Sequence, residues 1–279
     1  MRIFLAGATG AIGRLLVPLL LAEGHQVTVV TRRDPSTLDG VTAVRGDVYD
    51  AAHLREVVAA ARPDVVMHQL TDLASRDFAA NGRLRRVGTR NLVDAALAAG
   101  ADRVITQSIA WAYEGGDEPA DESTPLDLAN PDDGRRGMVE AVAELEAMTA
   151  EAPEWVVLRY GMFYGPGTWF TKGGLMADLA AAGNLPTGPD ITSFLHVEDA
   201  AIAAVRALQW PSGPVNIVDD EPAPASTWAP VFAEAVGAPT PAPTDGIRPG
   251  WARGASNVHA RTQLAWTPSQ PTWREGFAS

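Results

Sequence analysis

Short, predominantly apolar runs punctuate the chain at residues 3–6, 27–31, 41–45, 64–68, 103–106 and 155–159. Between them, apolar residues recur every three to four positions at 11–22, 51–61, 83–99 and 137–150. Strands without polar alternation are buried on both faces, and their alternation with helices is the pattern of parallel βαβ units. The predicted fold class is therefore α/β, a doubly wound parallel sheet. Past Tyr160 the texture changes, with frequent Gly and Pro and shorter helical patterns at 174–182, 197–208, 226–236 and 256–264. This predicts a domain over 1–160 followed by a smaller C-terminal lobe over 161–279, some of whose segments return to the first core. Pro18 falls inside the first helical pattern and is expected to kink it.

The junction between the first strand and the first helix carries chemistry. It reads Gly7-Ala8-Thr9-Gly10-Ala11-Ile12-Gly13. Glycines at this spacing let the backbone turn tightly and approach a pyrophosphate, while the amides of the next helix point at its charge. Gly7, Thr9, Gly10, Ala11, Ile12 and Gly13 are accordingly expected to bind a dinucleotide, the alternative being a structural glycine turn. The second predicted strand ends in Thr31-Arg32-Arg33. An acidic residue there would hold a ribose 2′-hydroxyl, whereas guanidinium forks pair with a 2′-phosphate. Arg32 and Arg33 thus favour NADP(H) over NAD, against a solvated basic pair before a turn.

Composition narrows the partners. The net charge of −12 repels polyanions, so no nucleic-acid partner is expected and any phosphate site must be local. With no cysteine, disulfides, thiol nucleophiles and Cys-ligated metals are excluded. His25, His53, His68 and His259 show no ligand spacing with carboxylates, and no metal is predicted; His196, followed by Glu198 and Asp199, is a candidate base with a structural join as the favoured alternative. No signal-like segment and no apolar run of membrane-spanning length is present, so no membrane association is expected and the cytoplasm is the expected location.

The glycine loop, Gly46-Asp47-Val48, His68-Gln69-Leu70-Thr71, Gly88-Thr89-Arg90-Asn91-Leu92, Ser108, Arg159-Tyr160-Gly161 through Tyr164-Gly165-Pro166-Gly167, and His196-Val197-Glu198-Asp199-Ala200 occur in this order. In order and spacing they resemble the extended short-chain dehydrogenase/reductases of the NAD(P)-dependent epimerase/dehydratase group, over nearly the whole chain. The resemblance implies a Rossmann domain with a substrate lobe. It also implies adenine contacts at Asp47 and Val48, a cofactor wall at Gln69, Leu70 and Thr71, and nicotinamide contacts at Tyr160, Gly161 and Phe163. Family members often dimerise through the helices near 83–99 and 137–150, so a homodimer is a further expectation.

The family also uses a Tyr-x-x-x-Lys pair. This chain has a single lysine, Lys172, and none of Tyr49, Tyr113, Tyr160 or Tyr164 has lysine four residues on. Aligned with the family's helix, Arg136 takes the tyrosine place and Glu140 the lysine place. Such a site lacks the usual phenol acid and the cation that tunes it. The remaining catalytic candidates are Ser108, at the end of the fifth strand, which would polarise a carbonyl, and Tyr113, which would supply a proton. Tyr164, Trp111, Trp169, Lys172 and Arg253 are candidate substrate contacts; for each the alternative is packing or simple solvation. The expected function is an NADP-dependent oxidoreductase, epimerase or dehydratase acting on a small-molecule substrate. A non-catalytic NADP-binding sensor or scaffold and a non-redox cyclase or lyase stand as alternatives.

Overall fold

The computed structural model describes residues 1–32, 39–72 and 77–278. In chain order the strands are β1 (Arg2–Ala6), β2 (Gln26–Thr31), β3 (Thr42–Arg45), β4 (Val65–His68), β5 (Arg103–Ile109), β6 (Glu154–Tyr160), β7 (Met162–Tyr164), β8 (Ile191–Thr192), β9 (Phe194–His196), β10 (Gly213–Ile217) and β11 (Ala223–Pro224). The helices are α1 (Ala11–Ala22), α2 (Ala51–Ala61), α3 (Phe78–Arg83), α4 (Thr89–Ala98), α5 (Asp133–Thr149), α6 (Leu175–Ala181), α7 (Val197–Arg206), α8 (Ala225–Val236), α9 (Val258–Gln263) and α10 (Trp273–Gly276). Seven strands form one sheet in the order β10-β6-β5-β4-β1-β2-β3, the doubly wound architecture that the apolar runs predict.

Parallel registers Ala6↔His68, His68↔Thr106 and Thr31↔Arg45 bring the carboxyl ends of β1 to β5 to one edge, where open α/β sheets bind ligands. Phe4, Val30, Val66 and Val104 pack with Leu54 and Val58 of α2 and Leu92 and Val93 of α4. Ile3 and Leu5, whose side chains alternate with these, are also fully buried. Each such side chain contributes about 1.5–3 kcal/mol, which is why these strands contain no polar alternation. Helix α1 continues through Pro18, which lies on its exposed side.

Two helical patterns differ from expectation. The stretch 83–99 begins at the last residue of α3 and continues as a π-helical turn, Leu84–Gly88, and then α4. Helix α5 starts four residues earlier than its apolar periodicity shows, because the Asp132 side chain accepts the Arg135 amide at 2.7 Å and caps it.

The chain divides into two compact units, but not at one boundary. The first comprises residues 1–108, 129–158 and 201–214; the second comprises 109–128, 159–200 and 215–279. Within the second, Tyr164, Phe170, Phe194, Trp228, Phe232, Trp273 and Phe277 form an aromatic cluster, with rings such as Phe194 and Phe277 meeting edge-on at 5.2 Å. Two buried carboxylates tie the C-terminal segment to this unit. Asp199 accepts the Ser269 and Gln270 amides at 2.8 and 3.0 Å, and Asp219 accepts the Trp273 amide at 3.0 Å. Among the described residues no helix is long and apolar enough to cross a membrane.

Candidate active site

The glycine loop has the geometry its sequence requires. Gly7 sits at φ +110°, and a Cβ there would lie 2.5 Å from the Gln69 carbonyl oxygen. At Gly13 a Cβ would lie 2.1 Å from the Gly7 carbonyl oxygen, so loop and helix touch through bare backbone. The Gly10 amide donates to the Gly7 carbonyl at 3.1 Å and closes the turn. Gly10 then caps α1 without any side-chain acceptor, which leaves first-turn amides, carrying the positive end of the helix dipole, to an incoming anion. Behind the loop, the Gln69 amide donates to the Ala6 carbonyl at 2.8 Å, and Gln69, Leu70 and Thr71 continue β4 past it.

His68 secures that continuation. The Leu70 amide donates to its Nδ1 at 3.2 Å, so the proton resides on Nε2 and is donated to Thr89 Oγ1 at 3.0 Å. Burial, with the nearby Arg85 charge, pushes its pKa down to about 4 and keeps it neutral.

At the outer edge of the same unit, Arg32, Arg45, Gly46, Asp47 and His53 line an open groove of about 510 Å³. Arg32 is exposed there; Arg33 lies outside the described residues. Asp47 accepts the Tyr49 amide at 3.0 Å, and Asn91 Nδ2 donates to the Val48 carbonyl at 2.8 Å, which fixes the start of the segment that follows β3.

Ser108 is 2% exposed at the end of β5, and its hydroxyl donates to Glu146 of α5 at 2.7 Å. Arg85, on the π-helical turn, is electrostatically coupled to Glu146; burial pushes its pKa down to about 10 and the carboxylate opposes that shift. Ser108 has therefore committed its one proton. Donation to a substrate carbonyl, as the sequence suggested, is not what this geometry supplies; the oxygen offers lone pairs instead.

The second unit corrects several expectations. Tyr113 is 1% exposed, with its hydroxyl donating to Asn216 Oδ1 and accepting from Arg159 Nη1 at 2.9 Å. Asn216 in turn donates to the Ala120 and Ser256 carbonyls, both at 3.1 Å. The phenol belongs to a buried polar network rather than to an open loop. Tyr113→Phe is expected to lower unfolding free energy by about 1–3 kcal/mol, seen by denaturant titration, and to leave turnover within about twofold; a far larger loss of turnover at full stability would restore the acid role.

Tyr164 is not a substrate contact, because it is fully buried against Phe194, His196 and Phe277. Arg253, expected as an anion clamp, is engaged by backbone instead. Its guanidinium donates to the Glu118 carbonyl, and to that of Glu114 at 3.5 Å, pinning the loop at 114–118. Tyr160 is 1% exposed, with its hydroxyl donating to the Ala200 carbonyl at 3.4 Å, while Phe163 stays half-buried beside it at 5.3 Å between ring centroids. Gly161 has no room for a side chain, since a Cβ would lie 2.7 Å from the Ser193 carbonyl oxygen. Trp111 and Trp169 are half-buried and Lys172 is exposed. His196, at the end of β9, is buried against Tyr164 and accepts the Glu198 amide at 3.4 Å, a structural position.

Comparison with known proteins places this arrangement. The profile of the NAD dependent epimerase/dehydratase family matches residues 3–218. The chain belongs to that family. Among its relatives, a 3-diazoavenalumate denitrifying reductase of a Streptomyces species is 44% identical over 301 residues, covering 99% of each chain. A ceramide reductase of Caulobacter vibrioides is 30% identical, covering 74% of this chain and 61% of that protein. Two solved structures share the fold. The UDP-glucose 4-epimerase of Thermotoga maritima, with UDP-glucose, has a TM-score of 0.79 at 18% identity, covering 100% of this chain and 96% of that one. The Bordetella bronchiseptica enzyme WbmG, with NAD and UDP, has a TM-score of 0.76 at 22% identity, covering 99% and 92%.

Three residues of this family member went unnoticed in the sequence: Arg45, Arg85 and Glu146. In the sequence Arg45 is no more than the last residue of an apolar run. Arg85 and Glu146 lie in helical patterns where charged residues ordinarily face solvent, and only packing brings Glu146 to Ser108 and the Arg85 charge to Glu146.

Proposed function

We propose that this chain is an NADPH-dependent reductase that removes the diazo group of an arenediazonium substrate and replaces it with hydrogen. The observation that carries this reading is the 44% identity, over the whole length of both chains, to a denitrifying reductase whose name specifies a diazo compound. Bound coenzyme would supply the two electrons and the hydrogen as hydride. The balance is ArN₂⁺ + NADPH → ArH + N₂ + NADP⁺: a C–H bond forms, the C–N bond breaks with its electron pair leaving on N₂, and no net proton is consumed.

That balance suits the residues. Carbonyl reduction consumes a proton and needs a donor, whereas Ser108 and Tyr113 have both committed theirs. In this reading Ser108 turns oxygen lone pairs toward a cationic group, held in that orientation by Glu146, and the net charge of −12 favours approach of a cation. The amides at Gly7 to Gly13 would hold the pyrophosphate. Arg32 and Arg33 would hold the 2′-phosphate, Asp47 and Val48 the adenine, and Gln69 to Thr71 the dinucleotide. Tyr160, Gly161 and Phe163 would flank the nicotinamide. Trp111 and Trp169 would offer flat apolar surface to an arene, and Lys172 a cation for a substrate carboxylate. Assembly as a homodimer through α4 and α5 belongs to the same reading and is checked by analytical ultracentrifugation.

The test is stoichiometry with a stable arenediazonium salt. One N₂ released per NADPH oxidised, with no proton taken up in weakly buffered solution, is the expected result. Proton uptake with a carbonyl substrate and no N₂ from the diazonium would overturn it, and NADPH binding without any turnover would favour the sensor alternative.

A further inference from the structure

We infer that Arg45, at the end of β3, is the second arm of a clamp for the 2′-phosphate of the coenzyme. This deepens the NADPH reading above and rests on it. The register Thr31↔Arg45 sets the end of β3 level with the end of β2, so Arg45 and Arg32 reach the same groove from neighbouring strands. Both are exposed, and neither forms an ion pair with a described residue.

The backbone beneath Arg45 is held from two sides. His53 Nε2 donates to the Arg45 carbonyl at 2.9 Å, and the Gly46 amide donates to the Thr31 carbonyl at 3.0 Å. That bond fixes the His53 tautomer with its proton on Nε2 and makes the ring a wall of the groove. Gly46 keeps the corner tight, because a Cβ there would lie 2.9 Å from Val30 Cγ2. One carboxylate, Asp47, shares the lining, and its Oδ1 is engaged by the Tyr49 amide. Two guanidiniums against one carboxylate leave a local positive site on a chain of net charge −12. The ligand this suits is a phosphate monoester on a nucleoside, since two planar forks can share its three oxygens. The sequence pointed to the arginines after β2 alone; β3 brings the second strand's worth of charge.

Titration of the purified protein with adenosine 2′,5′-bisphosphate and with ADP tests the inference without turnover. Wild-type protein should bind the 2′-phosphorylated nucleotide more tightly. Arg45→Gln should weaken that nucleotide by about tenfold to a hundredfold while leaving ADP within about twofold. Arg45→Lys should recover only part of the loss, because a point charge lacks the fork. Arg45 is exposed, so melting curves of the variants should overlay the wild type. If wild-type protein does not prefer the 2′-phosphate, the NADPH reading itself fails. If it does and Arg45→Gln keeps the preference, only the role of Arg45 is overturned.

Discussion

Gly13→Ala is expected to disrupt the fold of the first unit, whereas Gly10→Ala should fold normally and lose the coenzyme. A Cβ at position 13 would stand 2.1 Å from the Gly7 carbonyl oxygen and 2.6 Å from Ala8, all backbone atoms that cannot rotate away. Helix α1 would have to lift from the loop, at a cost of at least about 4 kcal/mol. At position 10 the nearest atom would be 3.4 Å away, and φ of −75° suits any residue. Stability should hold there. The added methyl group would instead occupy the approach to the uncapped amides of α1, and NADPH affinity should fall more than about tenfold. Thermal melts and NADPH titration of both variants separate the two effects. Should Gly10→Ala bind NADPH like the wild type, the loop is a structural glycine turn and nothing more.

A second large effect concerns pH. Asp219 is buried, and that burial pushes its pKa up to about 8, although the Glu221 and Trp273 amides that it accepts pull the other way. The folded state therefore holds a proton that the unfolded chain, titrating near 3.8, releases. Stability is complete below about pH 4 and declines as pH rises toward 8, by a total on the order of 5 kcal/mol. His68 contributes the opposite slope. Its folded pKa of about 4 lies below the ordinary 6.5, so its contribution is complete above pH 6.5 and is lost on acidification toward 4. The two oppose each other between pH 4 and 6.5, and only Asp219 acts from there to 8. Melting temperature should accordingly fall between pH 6.5 and 8 in the wild type and stay level in Asp219→Asn. Parallel profiles for the two proteins would show that Asp219 is ionised in the folded state throughout. Because Asp219 fixes the Trp273 amide, loss of the C-terminal segment is the first structural change expected at alkaline pH.

Much of the first unit was legible along the chain because its determinants are local. A strand buried on both faces must be apolar at successive positions, as Ile3 to Ala6 are, and a loop passing within backbone contact of its own helix must carry glycine, as Gly7 and Gly13 do. Substrate-lobe residues were not legible in the same way. Tyr113, Tyr164 and Arg253 are residue types that binding sites and cores use alike, and what separates the two is the partner. For Tyr113 that partner is Asn216, 103 positions away.

Residues adjacent in the chain were enough to specify the βαβ alternation, the glycine-lined turn at the head of α1 and the basic end of β2. Tertiary structure alone decided that Ser108 spends its proton on Glu146, that Tyr113 is sealed into a polar network, and that Arg45 joins Arg32 at one groove. Those outcomes depend on strand register and on which helix covers which strand, and neither is written in any local run of residues.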